Sequence, residues 1–101
     1  MHSQINAAIQ VIPRSIARHP YEIIDVAIGV IKKSGLKYVV TPFETVVEGD
    51  YHHIMQLVEE IHQACYEAGA IDMICNLKIQ SSAAMPVTID DKMKKYTQHE
   101  R

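Results

Sequence analysis

The stretch QINAAIQVIP, Gln4 to Pro13, alternates: Ile5, Ala7, Ile9 and Val11 fall on one side, and Gln4, Asn6, Ala8 and Gln10 on the other. A period of two over this length predicts a half-buried strand ending at Pro13. The period then lengthens. From Tyr21 to Ser34 the positions Glu22, Asp25, Gly29 and Lys32 or Lys33 form one narrow polar stripe on an otherwise apolar helix, entered through Pro20 and stopped by Gly35. Its acids come early and its lysines late, as the helix dipole prefers. Two β-rich runs follow, LKYVVTPF (36–43) and ETVVE (44–48). Asp50 is placed to cap a second helix, Tyr51–Gly69, whose buried stripe is Tyr51, Ile54, Leu57, Val58, Ile61 and Cys65. DMICNLKIQ, Asp72 to Gln80, alternates again, with Met73, Cys75, Leu77 and Ile79 on one face. After the loop SSAAMP, Thr88 caps a short helix to Tyr96 that turns Ile89, Met93 and Tyr96 inward.

The order β-α-β-β-α-β plus a tail helix predicts an α+β fold of the ferredoxin-like kind. In it a four-stranded antiparallel sheet carries two helices on one face. The other face is left uncovered. It shows Gln4, Asn6, Gln10, Asn76 and Lys78 mixed with Ala8, Ile12 and Ile74, a surface suited to a ligand or to a second subunit. The first helix, with its wide apolar face, also points to self-association.

Composition narrows the function. The 101 residues make a single domain, 1–101, with one modest core. Ten Lys and Arg against twelve Asp and Glu give a formal net charge of −2, so no basic excess is present to neutralise nucleic acid. No run of about 18 apolar residues exists to span a membrane. The opening MHSQINAAIQ lacks the basic and apolar regions of a signal peptide. Two cysteines, Cys65 and Cys75, lead to the expectation of reduced thiols in a cytoplasm. Both lie on core-facing stripes and read as packing residues.

Other chemistry finds little support. His62 and Cys65 share a helix face but no third ligand matches them, and the adjacent His52 and His53 splay apart, so no metal is expected. Arg14 and Arg18 occupy the loop in which acylphosphatases of this topology hold phosphate, yet IPRSIARHP has no glycine to wrap an anion. The strand positions where RNA recognition motifs stack bases carry no aromatic residue here. No P-loop is present, and no cofactor is implied.

The segments SGL (34–36), TPFETVVEG (41–49), HQACYEAGA (62–70), LKI (77–79) and TIDDK (88–92) change this picture. With them the chain, from Ile9 to Tyr96, resembles the small thiamine-binding protein family of ferredoxin-like oligomers. The resemblance implies non-enzymatic binding of thiamine or its hydroxymethyl-pyrimidine part, and assembly as a dimer of dimers. The chain departs from the family at two places. Glu44 stands where many members have glycine, and KIQSS with an inserted AAMP stands where many have KIDDR.

Thiamine presents a flat aminopyrimidine and a cationic thiazolium, and a pocket for it uses an aromatic face, a carboxylate and amide or hydroxyl partners. The resemblance therefore implies a site drawn from Thr41, Phe43, Thr45 and Glu48, with Asn6, Gln10 and Asn76 from neighbouring strands and Lys78 at the rim. Thr45 and Glu48 stand on opposite faces of a regular strand, so both reach one ligand only if the strand bends near Gly49. Lys78 is expected to pair with Glu48, and Glu44 to be an exposed hairpin charge. Without a phosphate cradle, the unphosphorylated ligand is expected. The alternative reading is a ligand-free assembly or regulatory module of the ACT-like kind, whose open face makes subunit contacts alone. There Thr41-Pro42 is a turn, Phe43 plugs a subunit contact and Glu48 caps the next helix.

Overall fold

The computed structural model describes residues 1–97. Its elements are β1 (Gln4–Arg14), α1 (Pro20–Lys33), β2 (Lys37–Val40), β3 (Thr45–Asp50), α2 (Tyr51–Glu67), β4 (Asp72–Gln80) and α3 (Ile89–Thr97). The sheet order is β2-β3-β1-β4 and every neighbouring pair is antiparallel. Each long helix therefore skips one strand: α1 joins β1 to β2 past β3, and α2 joins β3 to β4 past β1. This is the ferredoxin-like α+β arrangement that the alternation predicts. Among the described residues no helix is long and apolar enough to cross a membrane.

Strand alternation decides what each face does. Ile5, Ala7 and Ile9 of β1 and Val47 of β3 turn toward the helices. There they meet Ile23, Ala27 and Ile31 of α1 and Ile54, Leu57, Ile61 and Cys65 of α2, all buried. Burial of each large side chain contributes roughly 1.5–3 kcal/mol, which makes this layer the main source of stability. The helix ends follow the expected chemistry. Pro20 opens α1, where the His19 side chain accepts from the Tyr21 N–H at 3.1 Å. Asp50 Oδ2 accepts from the His52 and His53 N–H groups at 3.1 and 3.3 Å at the start of α2. Gly35 and Gly69, with φ of 76° and 117°, take the left-handed conformation needed after each helix.

Three expectations change. β1 does not end at Pro13 but continues to Arg14. Pairing with β3 stops at Ile9, so beyond it β1 has an open edge on that side, where a residue without an N–H costs no ladder bond. β2 stops at Val40, because Thr41 to Glu44 form a tight turn closed by the Thr41 N–H to the Glu44 carbonyl at 2.9 Å. In α3 only Ile89 is buried; Met93 and Tyr96 are 45% and 52% exposed, because this helix touches the rest of the fold through its first turn. Truncation of the core should be costly: Ile61→Ala is expected to lower unfolding free energy by about 2–5 kcal/mol and Ile61→Val by about 0.5–1.5 kcal/mol, measured by denaturant titration.

Candidate functional site

On the sheet face away from α1 and α2, the pairing registers line up side chains in rows. Lys37, Glu48, Asn6 and Gln80 form one row; Val39, Val46, Ala8 and Lys78 form the next; Gln10 and Asn76 lie opposite each other in a third. The chain's own tail crosses the first row. Glu48 Oε1 accepts from the Ile89 N–H at 2.6 Å. Lys37 Nζ meets Asp90 Oδ2 at 2.8 Å, and Lys92 Nζ donates to Gln80 Oε1 at 2.8 Å. Asn6, the remaining member, is 3% exposed. With its amide nitrogen turned to the Val87 carbonyl at 3.1 Å, its oxygen accepts from Lys92 Nζ at 2.8 Å. The Val87 N–H closes on the Gln4 carbonyl at 3.1 Å. The hydrogen-bonded Asp90 carboxylate holds the Lys37 ammonium above the ordinary lysine range, and the field of Glu48 adds to it. The face expected to be uncovered is thus partly covered, because the polar groups of this row and the tail's backbone satisfy one another.

The second row stays open. Ala8 adds almost no bulk, and an open groove of about 310 Å³ runs over Ala8 and Val46, bordered by Lys92 and Gln80 on one side and by Glu44 and Lys78 on the other. Lys78 Nζ lies 3.2 Å from Glu44 Oε1, so its partner is Glu44 and not Glu48. The rows explain this. Lys78 shares the row of Val46, with Glu44 and Glu48 each two residues away, and Glu48 is engaged by Ile89. Glu44 is accordingly half-buried in an ion pair rather than an exposed hairpin charge.

The predicted site residues divide between places. β3 stays regular through Gly49 to Asp50, so Thr45 and Glu48 point to opposite faces and do not converge. Thr45 is buried on the helix side. Thr41 Oγ1 donates to the Glu44 carbonyl at 2.6 Å and accepts from the Glu44 N–H at 3.1 Å, which fixes the hairpin turn. Phe43, at the tip, is 80% exposed. Thr41, Phe43, Thr45 and Gln10 border a cleft of about 100 Å³ against Ile24 and Ile28 of α1. Asn6 and Lys78 line the groove on the other face. Asn76 Nδ2 donates to Gln10 Oε1 at 3.0 Å in the row beside that groove. Glu48 supports the tail. Groove residues outside the predicted set include Ala8, Glu44, Gln80 and Lys92. The small side chain of Ala8 on the open face was the one signal for a floor. Gln80 and Lys92 become neighbours only through the placement of α3.

Burial pushes the thiols of Cys65 and Cys75 above the ordinary range, and the charge of Cys75 adds to the effect at Cys65. The His62 ring Nδ1 lies 2.8 Å from the Val58 carbonyl. Among the described residues no three His, Cys, Asp or Glu side chains gather.

Known proteins share the sequence and the fold. A family model described as thiamine-binding protein matches residues 7–97. A UPF0045 protein of Clostridium perfringens is 33% identical over 91 residues, covering 90% of this chain and 95% of that one. The solved structure of a domain of unknown function from Bacillus cereus superposes with a TM-score of 0.90 at 35% identity, over 93% of this chain and 90% of the other. A thiamine biosynthesis/salvage candidate from Thermotoga maritima superposes with a TM-score of 0.84 at 33% identity, over 92% and 98%.

Two outcomes follow from the geometry. Glu48→Ala leaves the Ile89 N–H without its acceptor and should cost about 1–2 kcal/mol, read as a fall of several degrees in Tm. Glu48→Gln keeps an acceptor oxygen and should lose less. Cys65 and Cys75 should label slowly with a thiol reagent in the native protein and quickly in denaturant, since burial keeps both thiols protonated.

Proposed function

The chain belongs to the thiamine-binding protein family, and from that premise we propose that it binds thiamine, or the hydroxymethyl-pyrimidine part of it, over Ala8 without transforming it. One observation carries the reading: an apolar floor of Ala8 and Val46 beside the amide of Gln80 and the carboxylate of Glu44. A flat aminopyrimidine rests on such a floor and satisfies its edge against such groups. Glu44 supplies the negative charge that an exocyclic amine or a thiazolium calls for. Size favours the same place. The helix-side cleft, about 100 Å³, is well below the roughly 300–1,000 Å³ of ordinary ligand sites, which the groove reaches.

The groove is open on its outer side, and a second copy is the natural cover. Ile12 and Ile74, paired across β1 and β4, are exposed apolar side chains on this face, and Phe43 is exposed at the hairpin tip. They suit a contact between copies, with a dimer of dimers as the assembled form. No bond-breaking step is assigned to the groove, whose lining holds neither a thiol nor an imidazole. Two unpaired thiols suit the cytoplasm.

Calorimetry with thiamine and with hydroxymethyl-pyrimidine tests the reading. Ala8→Leu, which fills the floor from the open side, should abolish binding with little change in Tm. Glu44→Gln should weaken binding by about ten-fold, the equivalent of roughly 1.4 kcal/mol. Parent-like affinity in Ala8→Leu would place the ligand elsewhere. Failure of both ligands to bind a stable oligomer would favour the ligand-free assembly module. Light scattering should give a dimer or tetramer, and a stable monomer at micromolar concentration would remove the self-association reading.

A further inference from the structure

The groove over Ala8 has an asymmetry of charge that its proposed ligand does not use. Two lysines border it, Lys78 and Lys92, against one carboxylate, Glu44. Glu44 is already paired with Lys78 at 3.2 Å. Lys92 is different. Its ammonium donates to two amide oxygens, Gln80 Oε1 at 2.8 Å and, in the orientation its surroundings require, that of Asn6 at 2.8 Å. Among the described residues no carboxylate lies within ion-pair distance of it. The two amides fix the direction of the side chain along the wall of the groove. They satisfy hydrogen bonds but leave the positive charge uncompensated. A cationic thiazolium placed here meets repulsion, whereas an anion gains a charge-assisted hydrogen bond.

We propose that the groove takes the phosphate monoester of its ligand, with Lys92 as the group that meets the phosphoryl oxygens. The inference rests on the ligand reading above and deepens it. The pyrimidine lies over Ala8 and Val46, with its amine toward Glu44. The ester oxygens extend toward the tail, where Lys92 stands between Asn6 and Gln80. Lys92 belongs to the tail that crosses the sheet, so an anion bound here also ties the tail more firmly to β1 and β4. The sequence pointed to the unphosphorylated form because no phosphate-wrapping loop is present. A single oriented ammonium on a packed strap needs no such loop.

The test compares thiamine with thiamine monophosphate, and hydroxymethyl-pyrimidine with its phosphate, by calorimetry on the full chain. Each phosphate ester should bind about ten-fold or more tighter than its parent alcohol, and that preference should shrink as salt rises. Lys92→Gln should remove the preference, and Lys92→Arg should restore much of it. Equal affinity of ester and alcohol in the parent protein overturns the proposal and leaves the ligand reading intact. Absence of binding by all four compounds overturns both. The comparison in the parent protein needs no variant, so it decides the matter even where Lys92→Gln folds poorly.

Discussion

Glu48 accepting the Ile89 N–H at 2.6 Å is the contact from which the working face of this protein follows. A sheet with helices on one side leaves its other side to water, and a polar row such as Lys37, Glu48, Asn6 and Gln80 gives no reason for a chain to lie on it. The tail supplies one by matching each member. Glu48 takes the first backbone donor of α3, Lys37 takes Asp90, and Asn6 and Gln80 take Lys92. A helix start with unmet N–H groups is stabilised by a carboxylate acceptor. Once α3 is fixed over this row, the next row acquires a wall, and a flat strand surface becomes a groove.

β1 makes both halves of that geometry. It is one of the two inner strands and pairs with β3 and β4 at once. Alternate residues therefore serve opposite purposes within one run of chain. Ile5, Ala7 and Ile9 pack under α1 and α2, while Asn6, Ala8 and Gln10 hold the tail, floor the groove and meet Asn76. A one-residue slip would send Asn6 into the core and Ile5 onto the groove side. The buried apolar set forbids it, so the register demanded by the core also aligns the site.

The fold was legible because it depends on periods and caps, which are local. β4 runs from Asp72 to Gln80 as the alternation implies, and Asp50 caps α2 through two N–H groups. The site was less legible because its geometry depends on where a short helix lands. Ile89, Met93 and Tyr96 make an amphipathic stripe at helical spacing, but a stripe does not say which surface it meets. In the fold only the first of the three is covered. Lys78 shows the same limit. Glu44 and Glu48 are equivalent partners by strand period, and the choice between them is made by the tail, dozens of residues away in sequence. Thr45 and Glu48 were joined by their nearness in the chain, whereas a regular β3 sends them to opposite faces.

The two carboxylates, Glu44 in the turn before β3 and Glu48 within it, thus have opposite commitments. Glu48 is tied to a backbone group, and its release would undo the tail. Glu44 is held by Lys78, whose side chain is 74% exposed, and an exposed pair of this kind contributes about 0–1 kcal/mol. Lys78 can swing into water at little cost, which is what the proposed exchange for a ligand amine on Glu44 requires. Thr41 fixes Glu44 by both its N–H and its carbonyl, so the carboxylate keeps its position when its partner changes. The hairpin whose sequence suggested a ligand does reach one in this reading, through Glu44 at its foot rather than through Phe43 at its tip. A glycine at that position would leave the groove with two lysines and no counter-charge.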